Sequence, residues 1–90
     1  MDDRILNEWS YIIASSYRIK TLKSLSQSPK IPTEIAKEHE IPTCRISKTL
    51  SDLKEHNLVF CVNPEMRKGR IYKITEYGHE VLNQINSNEK

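Results

Sequence analysis

Residues 35–58, IAKEHEIPTCRISKTLSDLKEHNL, decide the fold. Two short segments with apolar residues at helical intervals, the second at 43–56, are joined by too few residues for anything but a tight turn. In the second segment Ile46, Leu50 and Leu53 recur at the spacing that buries one face of a helix. The stretch therefore predicts a helix-turn-helix motif.

The opposite face of the second predicted helix has a chemistry of its own. It presents short hydroxyls and long cations with no acid among them: Thr43, Arg45, Ser47, Lys48 and Ser51. Such groups bond to phosphate oxygens and to base edges. This face is therefore a candidate surface for nucleic acid.

A β-hairpin is predicted directly after this motif. Residues 58–62 (LVFCV) and 70–75 (RIYKIT) are rich in β-branched and aromatic residues. The intervening NPEMRKG, residues 63–69, contains the turn signals Asn-Pro and Lys-Gly. A hairpin in this position is called a wing, and its cations can lie along the phosphate backbone or in the minor groove.

The other segments read as helices with defined ends. An apolar stripe over 5–14 is interrupted at Ser15 and Ser16, resumes from Tyr17 and stops before Pro29. Ile31 is expected to form a very short strand beside the hairpin. Expected end groups are Thr33, Thr43 and Thr75 as N-caps of three helices and Asn57 as a left-handed C-terminal exit. The fold class is mainly α with a small β-hairpin (α+β).

Composition sets the outer limits. Ninety residues, 37% of them hydrophobic, make one domain without a cleft between domains. No apolar run reaches the ~18 to 20 residues of a membrane span. The start Met-Asp-Asp is unlike a signal peptide, so the cytoplasm, at the nucleoid, is the expected location.

Charge is unevenly distributed. The net charge of +2 is too small to indicate nucleic acid, but residues 16–30 and 66–73 each hold four cations and no acid. We expect both blocks to lie on phosphates, although ordinary solvated faces would have the same composition.

Other chemistry has little support. Cys44 and Cys61 form no CxxC pair and are expected to be free thiols, and the three histidines have no ligand spacing. No nucleophile-base spacing or Gly-rich phosphate loop is present. No metal, cofactor or enzymatic activity is therefore expected.

The segments SSYRIKTLKSL, IPTEIAKEHEIPTCRISKTLSDLKEHNLV and KGRIYKITEYGHEVL carry a family resemblance. Residues 15–85 resemble winged-helix transcriptional regulators of the MarR and ArsR type, most closely small archaeal single-domain members. The most specific match is Gly-Arg-x-Tyr-x-Ile-Thr-Glu-x-Gly at residues 69–78. Glu40 stands where the family often has glycine, and the metal-binding cysteines of ArsR sensors are absent.

The resemblance implies sequence-directed binding of double-stranded DNA, usually as a homodimer, with helix 43–56 in the major groove. By position, the groove-facing residues would be Thr43, Arg45, Ser47, Lys48 and Ser51, and the wing contacts Arg67, Lys68 and Arg70. The domain would comprise an N-terminal extension (1–15), a winged-helix core (16–75), a C-terminal helix (76–86) and a frayed tail (87–90).

Several interpretations remain open. A dimer interface is expected from Trp9, Ile12, Ile13, Val81, Leu82 and Ile85, unless these apolar stripes are used in the monomer core. Arg45 and Lys48 could pair with Asp52, and Arg70 could bond an acid on a helix. A winged helix that binds proteins of the transcription machinery, without sequence-specific DNA binding, is the rival function.

Overall fold

The computed structural model describes residues 3–87, with side chains as far as residue 84. Its elements are the helices α1 (Asp3–Ile13), α2 (Ser16–Gln27), α3 (Pro32–His39), α4 (Thr43–Glu55) and α5 (Glu76–Ser87) and the strands β1 (Val59–Cys61) and β2 (Tyr72–Ile74). The predicted fold class, mainly α with a small hairpin, is confirmed. Residues 88–90 of the expected tail and the side chain of Ile85 lie outside the described residues.

The break between α1 and α2 falls where the serine pair predicted it. Ser15 has an extended backbone (φ −139°, ψ 125°) at the N-cap of α2, without a capping hydrogen bond from its side chain. The two helices therefore form separate segments that both pack on the core.

The N-caps expected at Thr33 and Thr43 are wrong by one or two residues. α3 begins at Pro32 with Ile31 as N-cap, and α4 begins at Thr43 with Pro42 as N-cap. The physical reason is proline's φ, which suits the first turn of a helix or the residue just before it. Thr33 and Thr43 consequently lie inside the helices.

Two helix exits adopt left-handed backbone conformations. Glu40 has φ 55° after α3, and Asn57 has φ 61° after α4, as predicted for Asn57. At Glu40 the amide of the next residue, Ile41, donates to the carbonyl of Ala36 (3.0 Å), which closes the corner of the helix-turn-helix. Ile41 is thereby placed in the core, only 7% exposed.

β1 and β2 pair antiparallel, with Val59 opposite Ile74 and Cys61 opposite Tyr72. The short strand expected at Ile31 is instead a single bridge at Lys30, whose backbone exchanges hydrogen bonds of 3.1 and 2.9 Å with Tyr72. The base of the wing is therefore tied to the segment between α2 and α3.

The core lies between the helices and the inner face of the hairpin. Ile46, Leu50 and Leu53 are fully buried, which confirms the inward face of α4. The remaining fully buried apolar residues include Ile12, Leu22, Ile35, Leu58 and Val81. Within residues 3–87, no helix combines the length and the apolar character needed to cross a bilayer.

Three residues expected at a dimer interface need correction. Ile12 and Val81 are 0% exposed and Leu82 is 4% exposed within this chain alone. Since α1 packs against α5, these side chains fill the space between the two helices and the core. The monomer-core interpretation therefore applies to all three.

Candidate nucleic-acid interface

The outward side of α4 carries a strip of hydroxyl groups. Thr43, Ser47 and Ser51 are four residues apart, and this spacing places them above one another on one side of a helix. All three are exposed, because the opposite side of α4 holds the buried Ile46 and Leu50.

A groove of about 600 Å³ joins this strip to the wing. Arg67, Lys68 and Arg70 line it together with the hydroxyls of α4. No aspartate or glutamate is among its lining residues. The free side of α4 and the basic wing therefore border one continuous groove.

Arg45 and Lys48 are exposed but lie outside the lining of the groove. Lys48 Nζ is 3.3 Å from Asp52 Oδ1, the pairing that the i,i+4 spacing allowed. The side chain of Lys48 is 77% exposed, so water screens the ion pair, which does little to fix the position of the ammonium group. Six of the eight predicted DNA-binding residues therefore share one groove, and two extend along the neighbouring surface of α4.

Arg70 has a different partner from the acid considered for it. Its Nε donates to the carbonyl oxygen of Met66 across the wing (2.6 Å). Gly69, between Lys68 and Arg70, has φ +68°, a conformation that favours glycine. The cations of the wing thus sit on a tightly turned backbone.

The start of α3 also lines the groove, which the sequence interpretation missed. Ile31, Pro32 and Thr33 border it, as does Tyr72 from β2. The sequence predicts only a capping role for Thr33, and no local pattern indicates that the start of α3 faces the wing. The bridge between Lys30 and Tyr72 brings the two together.

Two cations of the basic block 16–30 are engaged inside the protein. The guanidinium of Arg18 lies 3.8 Å from the ring centroid of Tyr11, and its Nη1 donates to the Tyr11 carbonyl (2.8 Å). Lys30 Nζ donates to the Ser24 hydroxyl (2.9 Å) and to Glu38 Oε2 (3.0 Å). The expectation that both lie on phosphates is therefore corrected, since each already has internal partners.

Glu38 completes the contacts around Lys30. Its Oε2 accepts a hydrogen bond from the buried hydroxyl of Ser24 (2.7 Å) as well as from Lys30. The Ser24 hydrogen bond, together with the Lys30 hydrogen bond and charge, lowers the pKa of Glu38 below its ordinary value. The ion pair between Lys30 and Glu38 thus connects α3 to the end of α2 and to the residue that bridges to β2.

A second cleft, of about 440 Å³, has the opposite chemistry. It is bordered by Glu8, Glu76 and Glu80, with Arg4 and His56 among the other lining residues. Glu8 Oε2 accepts a hydrogen bond from His56 Nδ1 (3.0 Å), and the ring of His56 stacks on Tyr11 with centroids 3.8 Å apart. Its carboxylates would repel phosphates, so the groove beside α4 is the candidate site.

The cysteines are free, as predicted, with Cys44 exposed and Cys61 half-buried. Among the side chains that the structure describes, no three His, Cys, Asp or Glu residues come together as a metal-binding group.

No protein-family model matches the chain, and no curated protein matches it in sequence. Solved structures do match. A MarR family transcription regulator superposes with a TM-score of 0.74 at 21% identity, over 83% of this chain. The chain is a winged helix. An ArsR family transcriptional regulator superposes on this winged helix with a TM-score of 0.69 at 17% identity, covering 99% of this chain and 90% of that one.

A third similar structure was solved with DNA. It is a mutant MarR from E. coli complexed with operator DNA, with a TM-score of 0.73 and 25% identity over 94% of this chain and 63% of that one. The winged helix described here spans about half the length of the first regulator, 51%.

Proposed function

We propose that this winged helix is a transcriptional regulator that binds double-stranded DNA in a sequence-specific way. α4 would enter the major groove, and the wing would follow the phosphate backbone or the minor groove. The observation that carries the proposal is the groove between them, which joins three hydroxyls of α4 to three wing cations with no acid in its lining.

The chemistry of the groove suits a division of labour. Arg67, Lys68 and Arg70 would neutralise phosphates and contribute most of the salt-dependent affinity. Ser47, Ser51 and the longer Arg45 and Lys48 would reach base edges, where each good contact contributes about 1–3 kcal/mol of discrimination. The similar structure solved with operator DNA supports duplex binding as the function of this fold.

A two-fold dimer is part of the proposal. Leu6 and Ile13 on α1 are 43% and 42% exposed, and Trp9 lies between them, partly buried. These three residues are spaced so that they lie along one side of α1. A dimer through this strip would match a palindromic DNA site.

Anisotropy titrations test the function directly. Binding of random duplex and of duplex selected from genomic fragments is measured at about 50 and 200 mM salt, where a protein with several phosphate contacts loses much of its affinity. We expect Lys68→Ala to weaken binding to both duplexes and to reduce the salt slope by about 1. We expect Arg45→Ala to relax base preference on the selected duplex.

Lys54→Ala is the matched control, because Lys54 is an exposed cation in the last turn of α4 and is not one of the predicted DNA-binding residues. It should leave base preference unchanged. Equal effects of Arg45→Ala and Lys68→Ala on random and selected DNA would contradict the assigned roles. Absence of duplex binding by the unaltered protein would reject the function.

Exposed apolar residues on the wing favour a second candidate, a winged helix that binds another protein of the transcription machinery. Phe60, Val62 and Met66 are 42%, 51% and 49% exposed. Protein binding through this surface would be insensitive to Lys68→Ala and would be lost in Phe60→Glu. In the duplex titrations, a loss of affinity in Lys68→Ala but not in Phe60→Glu would support DNA binding over this second candidate.

A further inference from the structure

Residues 64–70 of the wing, here called the wing loop, have no apolar anchor in the core. Every one of these residues is exposed. Burial therefore contributes little to the conformation of the loop, and hydrogen bonds must set the positions of Arg67, Lys68 and Arg70.

Asn63 supplies most of those hydrogen bonds. At the end of the hairpin, Val62 donates to the carbonyl of Ile71 (2.8 Å), and a regular ladder would return a bond from the Ile71 amide to Val62. That amide donates instead to Asn63 Oδ1, at 2.7 Å. The side chain of Asn63 thus replaces a backbone partner where the strands diverge.

The same residue reaches two further points of the wing. Asn63 Nδ2 donates to the carbonyl of Gly69 (3.2 Å), and the Asn63 carbonyl accepts from the amide of Met66 (3.1 Å). Arg67 and Lys68 lie between the Met66 and Gly69 anchors, and Arg70 lies between the Gly69 and Ile71 anchors. Each groove-lining cation is therefore bracketed by two bonds to Asn63.

We infer that Asn63 is a positioning residue that preorganises the three wing cations for the phosphate backbone; this rests on the proposed function. Asn63 is half-buried and is not among the residues lining the groove, so it acts through the cations. Without its side chain the wing loop samples more conformations, and DNA binding bears the entropic cost of ordering it.

The test is Asn63→Ala in the full chain. Loss of the side-chain hydrogen bonds to the Ile71 amide and the Gly69 carbonyl should weaken duplex binding roughly tenfold. The salt slope should stay the same, because all the cations still reach phosphates in the complex, whereas Lys68→Ala lowers it by about 1. In the free protein, hydrogen exchange of the Ile71 amide should accelerate, while the global unfolding midpoint stays close to that of the unaltered chain.

A double-mutant cycle separates positioning from direct contact. In a background of Arg67→Ala, Lys68→Ala and Arg70→Ala, the added Asn63→Ala should have no effect on affinity, since no cations remain to be positioned. A persistent tenfold loss in that background would mean that Asn63 touches DNA itself and would overturn the inference. Gln27→Ala, which removes an exposed amide at the end of α2, is the control and should leave affinity unchanged.

Equal affinity of Asn63→Ala and the unaltered protein would overturn the positioning role while leaving the proposed function intact. If the unaltered protein bound no duplex, the proposed function would fail as well, whatever the exchange rate of the Ile71 amide.

Discussion

Single residues connect distant parts of this small fold. The backbone of Lys30 pairs with Tyr72 of β2, while its ammonium bonds to Ser24 and Glu38. One lysine thus joins the wing to α2 and to α3, whose first residues line the groove. The charge of Lys30 stabilises the fold, so the position of Lys30 in a basic block does not indicate phosphate binding.

Glu38 should make the free energy of unfolding depend on pH in the acid range. Its pKa is lowered in the folded chain, chiefly by the Ser24 hydrogen bond, so the folded state binds fewer protons than the unfolded state. The stabilisation is therefore fully present above the ordinary glutamate pKa and is lost as pH falls through the lowered value. Glu38→Gln should cost roughly 1 kcal/mol at neutral pH, a small figure because the carboxylate is 37% exposed.

Urea unfolding of both proteins across the acid range checks this prediction. The difference in unfolding free energy should shrink as pH falls below the ordinary glutamate pKa. Glu65→Gln, at an exposed position of the wing loop, is the control. A difference that is independent of pH would show that the carboxylate charge is not what stabilises the contact.

At the scale of elements, α5 is docked through its first turn. As predicted, Thr75 caps the helix: its hydroxyl accepts from the Gly78 amide (2.9 Å) and donates to the carbonyl of Asn57 (2.8 Å). The Thr75 amide donates to the Leu58 carbonyl (3.0 Å). The start of α5 therefore approaches the backbone just before β1 closely.

Gly78→Ala tests this approach. A Cβ at residue 78 would overlap the carbonyl oxygen of Leu58 and come within 2.7 Å of Ile74 Cγ1. A backbone atom cannot move away cheaply, so we expect a loss of roughly 1–3 kcal/mol. This loss would occur although alanine is the better helix former by about 1 kcal/mol.

Gly69→Ala is the comparison for thermal or urea unfolding. Gly69 has φ +68° but no atom within 4 Å of an added Cβ. Its substitution should cost about 1 kcal/mol of left-handed strain, in the wing only. A stabilised Gly78→Ala protein would contradict the close packing of α5 against Leu58.

At the scale of the whole molecule, the two clefts have opposite charge. The groove beside α4 is lined by three cations, and the cleft between α1, α5 and the end of α4 is bordered by three glutamates. Although the net charge is only +2, positive and negative side chains are concentrated in different clefts. Such a distribution would orient the groove toward a polyanion.

The proposed dimer is tested by Ile13→Glu. Ile13 is 42% exposed, so the change should leave the fold intact while placing a charge in the apolar strip of α1. Size-exclusion chromatography with light scattering should give about twice the chain mass of 10.5 kDa for the unaltered protein and the single mass for the variant.

Phe60→Glu is the control, because Phe60 on the wing is also 42% exposed and the same charge is introduced. This variant should remain dimeric. A single 10.5 kDa species for the unaltered protein at micromolar concentration would reject the dimer.

Local signals in the chain were enough to predict the architecture. Ile46, Leu50 and Leu53 repeat at helical intervals, and they are buried. The Asn57 exit and the Thr75 cap were also predicted, because backbone conformation at such positions depends on a few neighbouring residues. The hydroxyls of α4 followed from the same periodicity, since burial of one side of a helix leaves the other side free.

Contacts between distant segments could not be predicted in this way. The sequence predicts that Arg18 and Lys30 bind phosphates, but the fold places Arg18 against Tyr11 and Lys30 against Glu38. The sequence predicts Ile12 and Val81 at a dimer interface, because an apolar stripe does not indicate whether the same chain or a second copy buries it. Both residues are buried within this chain. The start of α3 joined the groove only through the pairing of Lys30 with Tyr72. Periodicity reports which side of an element is buried, whereas the partner of a charge or an apolar side chain depends on how the elements pack in space.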